Sequence, residues 1–153
     1  MIESEHLKVD LSDDLIGVQV ASSLKNVVTI MVGIVEGKQL GDNTKSFVFV
    51  RGLKDIENIG LKMGAQRESF YSLTGLGDLL LHSRNRNLGI EIGNGKTLEE
   101  ALDGKVHVSE GVIACKNAIE LAKKLGVKIP VIEGLNKILF EKGDIVEIIE
   151  SLN

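Results

Sequence analysis

Apolar residues recur at intervals of three and four along most of this 153-residue chain, the spacing that lines one face of an α-helix. Residues 15–35 form the longest apolar run. At roughly 20 residues it is long enough to cross a bilayer, yet Gln19, Ser22, Ser23, Lys25 and Asn26 interrupt it. It reads as a buried helix and not as a membrane span. Asp13 or Asp14 is placed to cap this helix and Gly37 to end it, and Asp42 is expected to cap a second one that runs to about Met63 and stops at Gly64. Shorter helices are predicted around 68–73, from the Thr97/Glu100 capping box to Leu102, from Ser109 to Leu125 with Gly126 beyond its end, from about Pro130, and after Asp144 with Glu147. Only Leu7, Val9 and Leu11 alternate with polar residues, a short strand pattern with no partner strand in the chain. The pattern predicts an all-α, bundle-like domain of six to eight helices over 13–153, preceded by a stray strand within 1–12.

Composition narrows the function classes. Eighteen Lys and Arg against 22 Asp and Glu give a net charge of −4, so no global positive field is available to hold a nucleic acid, and any anion must be bound locally. The one cysteine, Cys115, cannot form an internal disulfide, and His6, His82 and His107 lack metal-ligand spacing, so no metal is expected. The N-terminus has no signal-peptide pattern, which predicts a cytoplasmic protein. Two glycine-rich stretches invite a nucleotide-loop reading. Gly75, Gly77 and Asp78 fail it because Leu80 stands where a third glycine is needed, and Gly93-Asn94-Gly95-Lys96 leads into a capping box with no strand before it. The second is read as a helix-to-helix turn.

Candidate chemistry gathers at two places. On the first helix Val18, Ala21, Lys25, Val28 and Val32 share a stripe, so Lys25 interrupts an apolar face, beside a small polar stripe of Gln19, Ser22, Asn26, Thr29 and Gly33. A lysine desolvated there has its pKa lowered toward the range of a general acid or base, while one that snorkels past the helix rim does not. The spacing leaves both open. Ser83, Arg84 and Asn85 at a helix start place a hydroxyl, a guanidinium fork and an amide where they could cradle an oxyanion, or else form a solvated helix end. Cys115 lies in an apolar helix and is read as inert core.

The ordered segments Leu24-Lys25-Asn26-Val27, Gly41-Asp42-Asn43-Thr44-Lys45, Gly75-Leu76-Gly77-Asp78-Leu79, Ser83-Arg84-Asn85-Arg86 and Glu110-Gly111 together resemble the C-terminal substrate domain of NAD(P)-dependent glycerol-3-phosphate dehydrogenase. The resemblance extends over essentially the whole chain. It implies a helical fold like the C-terminal domain of 6-phosphogluconate dehydrogenase, and it makes the strand pattern within 1–12 the remnant of the last strand of a dinucleotide-binding domain. It implies that Lys25 is the general acid/base acting on dihydroxyacetone phosphate or glycerol 3-phosphate, and that Asp78 holds the lysine or a substrate hydroxyl. It further implies that Asn26, Ser83, Arg84 and Asn85 contact substrate, and that Arg84, Val108 and Glu110 face NAD or NADP. The cofactor would be held mainly by a dinucleotide-binding domain outside these residues, in another chain or a missing half, so that the chain alone would be silent. A role in phospholipid biosynthesis is expected on the same ground, and a homo-oligomer or a partner is expected because a face once covered by the dinucleotide-binding domain and an unpaired strand edge would be open to association. Only Leu79 to His82 separate the Gly-Asp pair from Ser83, a shorter segment than the family has, with His82 near the position of a substrate-contacting threonine. A non-catalytic helical remnant or association module is the alternative expectation.

Overall fold

The structure is a computed structural model that describes residues 11–77, 83–104 and 109–152. Those residues form seven α-helices: α1 (Leu15–Gly37), α2 (Asp42–Lys62), α3 (Arg84–Gly93), α4 (Leu98–Leu102), α5 (Glu110–Leu125), α6 (Pro130–Phe140) and α7 (Ile145–Glu150). Between α2 and α3 the chain makes a 3₁₀ turn, Arg67–Tyr71, and a π turn, Leu73–Gly77, where the sequence predicted one short helix over 68–73. No strand occurs among the described residues, and the strand pattern within 1–12 falls almost entirely outside them.

Most helix ends follow from local hydrogen bonding. Asp14 caps α1 by accepting from the Gly17 N–H at 2.9 Å, the Thr97/Glu100 box opens α4, and Asp144 accepts from the Val146 and Glu147 N–H groups at the start of α7. Two expected caps are corrected. Asp42 is the first helical residue of α2 and pairs with Lys45 at 2.7 Å, while Gly41, at φ +89°, occupies the cap. A carboxylate in the first turn favours the helix dipole from that position without capping. Ser109 precedes α5 but makes no side-chain cap bond, because its hydroxyl is spent on Asn85.

The start of α6 is capped from another element. Ile129 has no side chain to offer, and Asp55 of α2 accepts from the Val131 and Ile132 N–H groups at 2.8 and 3.1 Å. Asp55 is 2% exposed. Burial pushes its carboxyl up to about 7, against the two N–H bonds and Arg51, with Glu133 adding to the rise. An acid whose folded pKa lies above its unfolded value near 3.8 binds more protons when folded. The contribution of Asp55 to stability is therefore full below about pH 4 and declines as pH rises through the interval up to about 7. Asp55→Asn keeps an acceptor for both N–H groups and removes the charge. We expect urea unfolding to show it more stable than wild type at pH 8, by roughly 2–4 kcal/mol, and nearly equal at pH 4.

α1 is the central helix, packed against α2, α3, α5 and α6. Ile30, Met31, Ile34 and Val35 are fully buried. By length and composition α1 could cross a membrane, but 67% of its most apolar window is buried by the rest of the fold, the behaviour of a core helix. Its closest neighbour is α3, which runs parallel to it with backbones almost touching. A Cβ placed on Gly33 would lie 2.3 Å from the Arg86 carbonyl oxygen, one on Gly89 2.1 Å from that of Ile30, and one on Gly93 2.3 Å from that of Ile34. Arg86 closes the edge of this crossing, its Nε and Nη2 donating to Glu36 Oε2 at 2.8 and 2.7 Å. The small polar stripe of α1 is consequently wet only in its first half. Gln19 and Ser22 are exposed, whereas Thr29 and Gly33 are buried.

Candidate functional site

Lys25 lies half-buried where α1 passes from exposed to covered. Its backbone carbonyl accepts from Thr29 Oγ1 at 2.9 Å, a bond that ties the covered half of the helix to the turn carrying the lysine. Asn26, the next residue, donates from Nδ2 to Glu110 Oε2 at 3.2 Å across 84 residues of sequence. Glu110 is the first residue of α5, and Gly111 follows with its α-carbon pressed on α1. A Cβ there would come 2.7 Å from the Asn26 carbonyl oxygen. Only glycine lets the head of α5 approach α1 this closely.

The third element at this corner is the start of α3. Ser83 Oγ accepts the Arg86 N–H at 3.3 Å and so caps the helix. Asn85 is 9% exposed, and its Oδ1 accepts from the Ser109 hydroxyl and from the Gly111 N–H at 3.3 Å. Arg84 is exposed, with no ion pair to another described residue. Asn26, Asn85 and Glu110, drawn from three helices, are therefore brought together, with Lys25 just before Asn26 and Ser83 and Arg84 just before Asn85 in sequence. Asp78, Val108 and the short segment 79–82 lie outside the described residues.

The turns before Asp78 are fastened from two helices. The Asp14 carboxylate, besides capping α1, accepts from the Gln66 N–H at 2.8 Å and from Ser69 Oγ at 2.6 Å. The Ser69 bond, followed by the Gly17 N–H, holds this carboxyl below its ordinary range. Glu57 of α2 has a fully buried side chain that meets Lys54 at 2.6 Å, Arg67 at 2.7 Å and the Tyr71 hydroxyl at 2.8 Å. Burial opposes its charge, but the bonds from Lys54 and Tyr71 and the charges of Lys54 and Arg67 outweigh it and keep the carboxyl low. Phe70 stacks on Gly60, and Gly75 rests on the Phe70 carbonyl. The glycine-rich stretch is thus presented by a clamped turn. Sequence reading missed this clamp, since Glu57, Arg67 and Tyr71 carry no motif and meet only once the chain has folded back. It also missed Ser109 as an Asn85 partner, because a serine before a helix reads as a cap.

The remaining candidates resolve without chemistry. Gly93 to Lys96 is a turn between α3 and α4, in which Gly95 takes φ +103° and Lys96 pairs with Glu91 at 3.0 Å. Cys115 is buried against the Ile132 carbonyl, and burial pushes its thiol up to about 12, so it stays protonated and inert. Among the described residues no group of three or more His, Cys, Asp or Glu could hold a metal ion.

Comparison with known proteins decides the lineage. The family model described as NAD-dependent glycerol-3-phosphate dehydrogenase C-terminus matches residues 14–150. The chain belongs to this family. Among relatives of this glycerol-3-phosphate dehydrogenase domain, the glycerol-3-phosphate dehydrogenase [NAD(P)+] of Fusobacterium nucleatum is 45% identical over 150 residues, which cover 95% of this chain and 45% of the relative. The protein of the same name from Clostridium botulinum strain Alaska E43 is 43% identical, covering 95% of this chain and 46% of the relative. A crystal structure of glycerol-3-phosphate dehydrogenase from Coxiella burnetii superposes with a TM-score of 0.91 at 30% identity, over 98% of this chain and 48% of that one. The structure of DsGPDH from Dunaliella salina, at 20% identity and a TM-score of 0.85 over 97% of this chain and 31% of that one, shares the fold. The chain spans about half the length of the curated relatives it matches.

Proposed function

We propose that this chain is the substrate-binding and proton-transferring half of an NAD(P)-dependent glycerol-3-phosphate dehydrogenase, which interconverts dihydroxyacetone phosphate and sn-glycerol 3-phosphate. The observation that carries this reading is the corner itself. The Asn26–Glu110 bond and the Gly111–Asn85 bond join the starts of α3 and α5 to the turn of α1 that carries Lys25, which supports this reading.

The described residues fit one edge of NAD or NADP and not the whole group. All their elements are helical, so they include no βαβ unit to receive a dinucleotide, while Arg84 and Glu110 are exposed at the heads of α3 and α5 where a nicotinamide end could approach. A dinucleotide-binding unit outside these residues is therefore the partner. When bound, the reduced cofactor supplies a hydride to the ketone carbon. Lys25 donates a proton to the ketone oxygen as that oxygen gains charge, and takes it back in the reverse direction. Asn26, fixed by Glu110, orients the substrate or the lysine. Asp78 would hold the lysine or a substrate hydroxyl. Arg84 and Asn85 receive the phosphate, and the cap bond of Ser83 sets where the two begin.

Calorimetric titration of the chain with sn-glycerol 3-phosphate, glycerol and inorganic phosphate tests the substrate assignment. Glycerol 3-phosphate should bind more tightly than either part, and Arg84→Ala should weaken it by about 10- to 100-fold, the worth of a charge-assisted hydrogen bond. Unchanged affinity in Arg84→Ala would mean that the short segment before Ser83 keeps the guanidinium away from the phosphate.

A further inference from the structure

We propose that Glu57 is a positioning residue for proton transfer, holding in one arrangement the turns that lead into Asp78. The proposal rests on the function reading above, in which Asp78 meets the lysine or a substrate hydroxyl. Glu57 is fully buried on α2, and its carboxylate collects three donors. Lys54 and Arg67 reach Oε1 at 2.6 and 2.7 Å, and the Tyr71 hydroxyl donates to Oε2 at 2.8 Å. An ammonium and a guanidinium only donate and an ionised carboxylate only accepts, so these bonds have one direction. Arg67 and Tyr71 are the first and last residues of the 3₁₀ turn. One carboxylate of α2 therefore holds both ends of that turn, while Asp14 of α1 holds its middle at Ser69 and the residue before it, Gln66. The fixation continues along the chain. The Ser72 hydroxyl donates to the Ser69 carbonyl at 2.7 Å, the Leu76 N–H donates to the Ser72 carbonyl at 2.8 Å, and Gly75 rests on the Phe70 carbonyl. The π turn Leu73–Gly77 is thus built on the clamped one, and Asp78 follows Gly77 directly in sequence.

A buried, fully paired carboxylate adds little to global stability, because desolvation of the charge offsets much of the attraction, and its contribution here is a single geometry. Lys54 and Arg67 are 47% and 56% exposed. Once Glu57 is replaced, both cations can turn to water, and no unpaired charge stays buried. Loss of the clamp should therefore loosen the turns without unfolding the chain, which separates positioning from support.

The test mixes this chain with the part of the Fusobacterium nucleatum relative that it does not match and follows the oxidation of NADH and NADPH by dihydroxyacetone phosphate. Glu57→Met fills the same space without a charge. It is expected to lower kcat by about 10- to 100-fold, the effect of roughly 1 Å of misplacement at a reacting centre, and to leave KM for dihydroxyacetone phosphate within about 3-fold of wild type. Arg67→Ala should lower kcat in the same sense. Arg67→Lys should recover most of that loss, because a single guanidinium nitrogen, Nη1, meets Glu57 and a lysine can replace it. The unfolding midpoint should stay near wild type in all three, while the Leu76 amide hydrogen exchanges at least about 10-fold faster in Glu57→Met and Arg67→Ala. Wild-type kcat in Glu57→Met, no recovery in Arg67→Lys, or a loss that only follows a lowered unfolding midpoint would overturn the proposal. If Glu57→Met does not fold, the two variants of the exposed Arg67 decide it. A silent wild-type mixture would overturn the function reading and this proposal with it, whereas an active wild type indifferent to the clamp would overturn the proposal alone.

Discussion

Gly89→Val should leave little folded protein at 25 °C, with a loss of about 5 kcal/mol or more, comparable to the whole stability of a small domain. Even the first added atom, the Cβ, would sit 2.1 Å from the Ile30 carbonyl oxygen and 2.9 Å from the Gly33 α-carbon. These are backbone atoms, so no side chain can swing aside, and relief requires α3 to move off α1. Such a movement would unpack the interface with the central helix and draw Arg86 away from Glu36. It would also carry Asn85 away from Gly111, so the same change would dismantle the candidate site. A contrasting substitution isolates the cause. Gly95→Ala faces open space but keeps a backbone at φ +103°, and it should cost only about 1 kcal/mol, the strain of a side chain in the left-handed region. Thermal unfolding of the two variants side by side checks both values.

Much of this architecture could be read from local chemistry. The cap at Asp14, the box at Thr97 and Glu100, the glycine after Leu125 and the proline opening α6 each act within one turn of their own residue, so sequence spacing is enough to find them. What could not be read acts across the chain. Asp55 caps a helix that starts 75 residues later, and its role depends on α2 crossing α6. Glu57 looks like any surface acid on α2 until Arg67 and Tyr71 return to it. The parallel contact of α1 with α3 was hidden because a glycine in a helix reads as weakness until a second backbone is found lying on it. At the candidate site, the motifs singled out Lys25, Asn26, Asn85 and Glu110, but their order along the chain says nothing of which atoms meet. That Asn85 gives its oxygen to the Ser109 hydroxyl and the Gly111 N–H is visible only in three dimensions.

If the proposed function holds, Lys25→Met lowers the turnover of this chain mixed with a dinucleotide-binding domain by about 10²- to 10⁴-fold, the usual contribution of a positioned general acid. Methionine preserves the length and the apolar stem, so the half-buried position should still pack and the unfolding midpoint should change little. Glycerol 3-phosphate affinity should fall far less than turnover, because the proposed function gives the phosphate to Arg84 and Asn85. A variant that lost affinity and turnover equally would instead assign Lys25 to binding.

The most direct measurement is the oxidation of NADH and NADPH by dihydroxyacetone phosphate with four samples: this chain, the part of the Fusobacterium nucleatum relative that the chain does not match, the two mixed, and the mixture carrying Lys25→Met. Turnover confined to the mixture and lost in Lys25→Met is the expected result. Equal turnover with and without Lys25, or silence in a mixture whose two parts are shown to associate, would contradict the assignment of this chain as the proton-transferring half of the dehydrogenase.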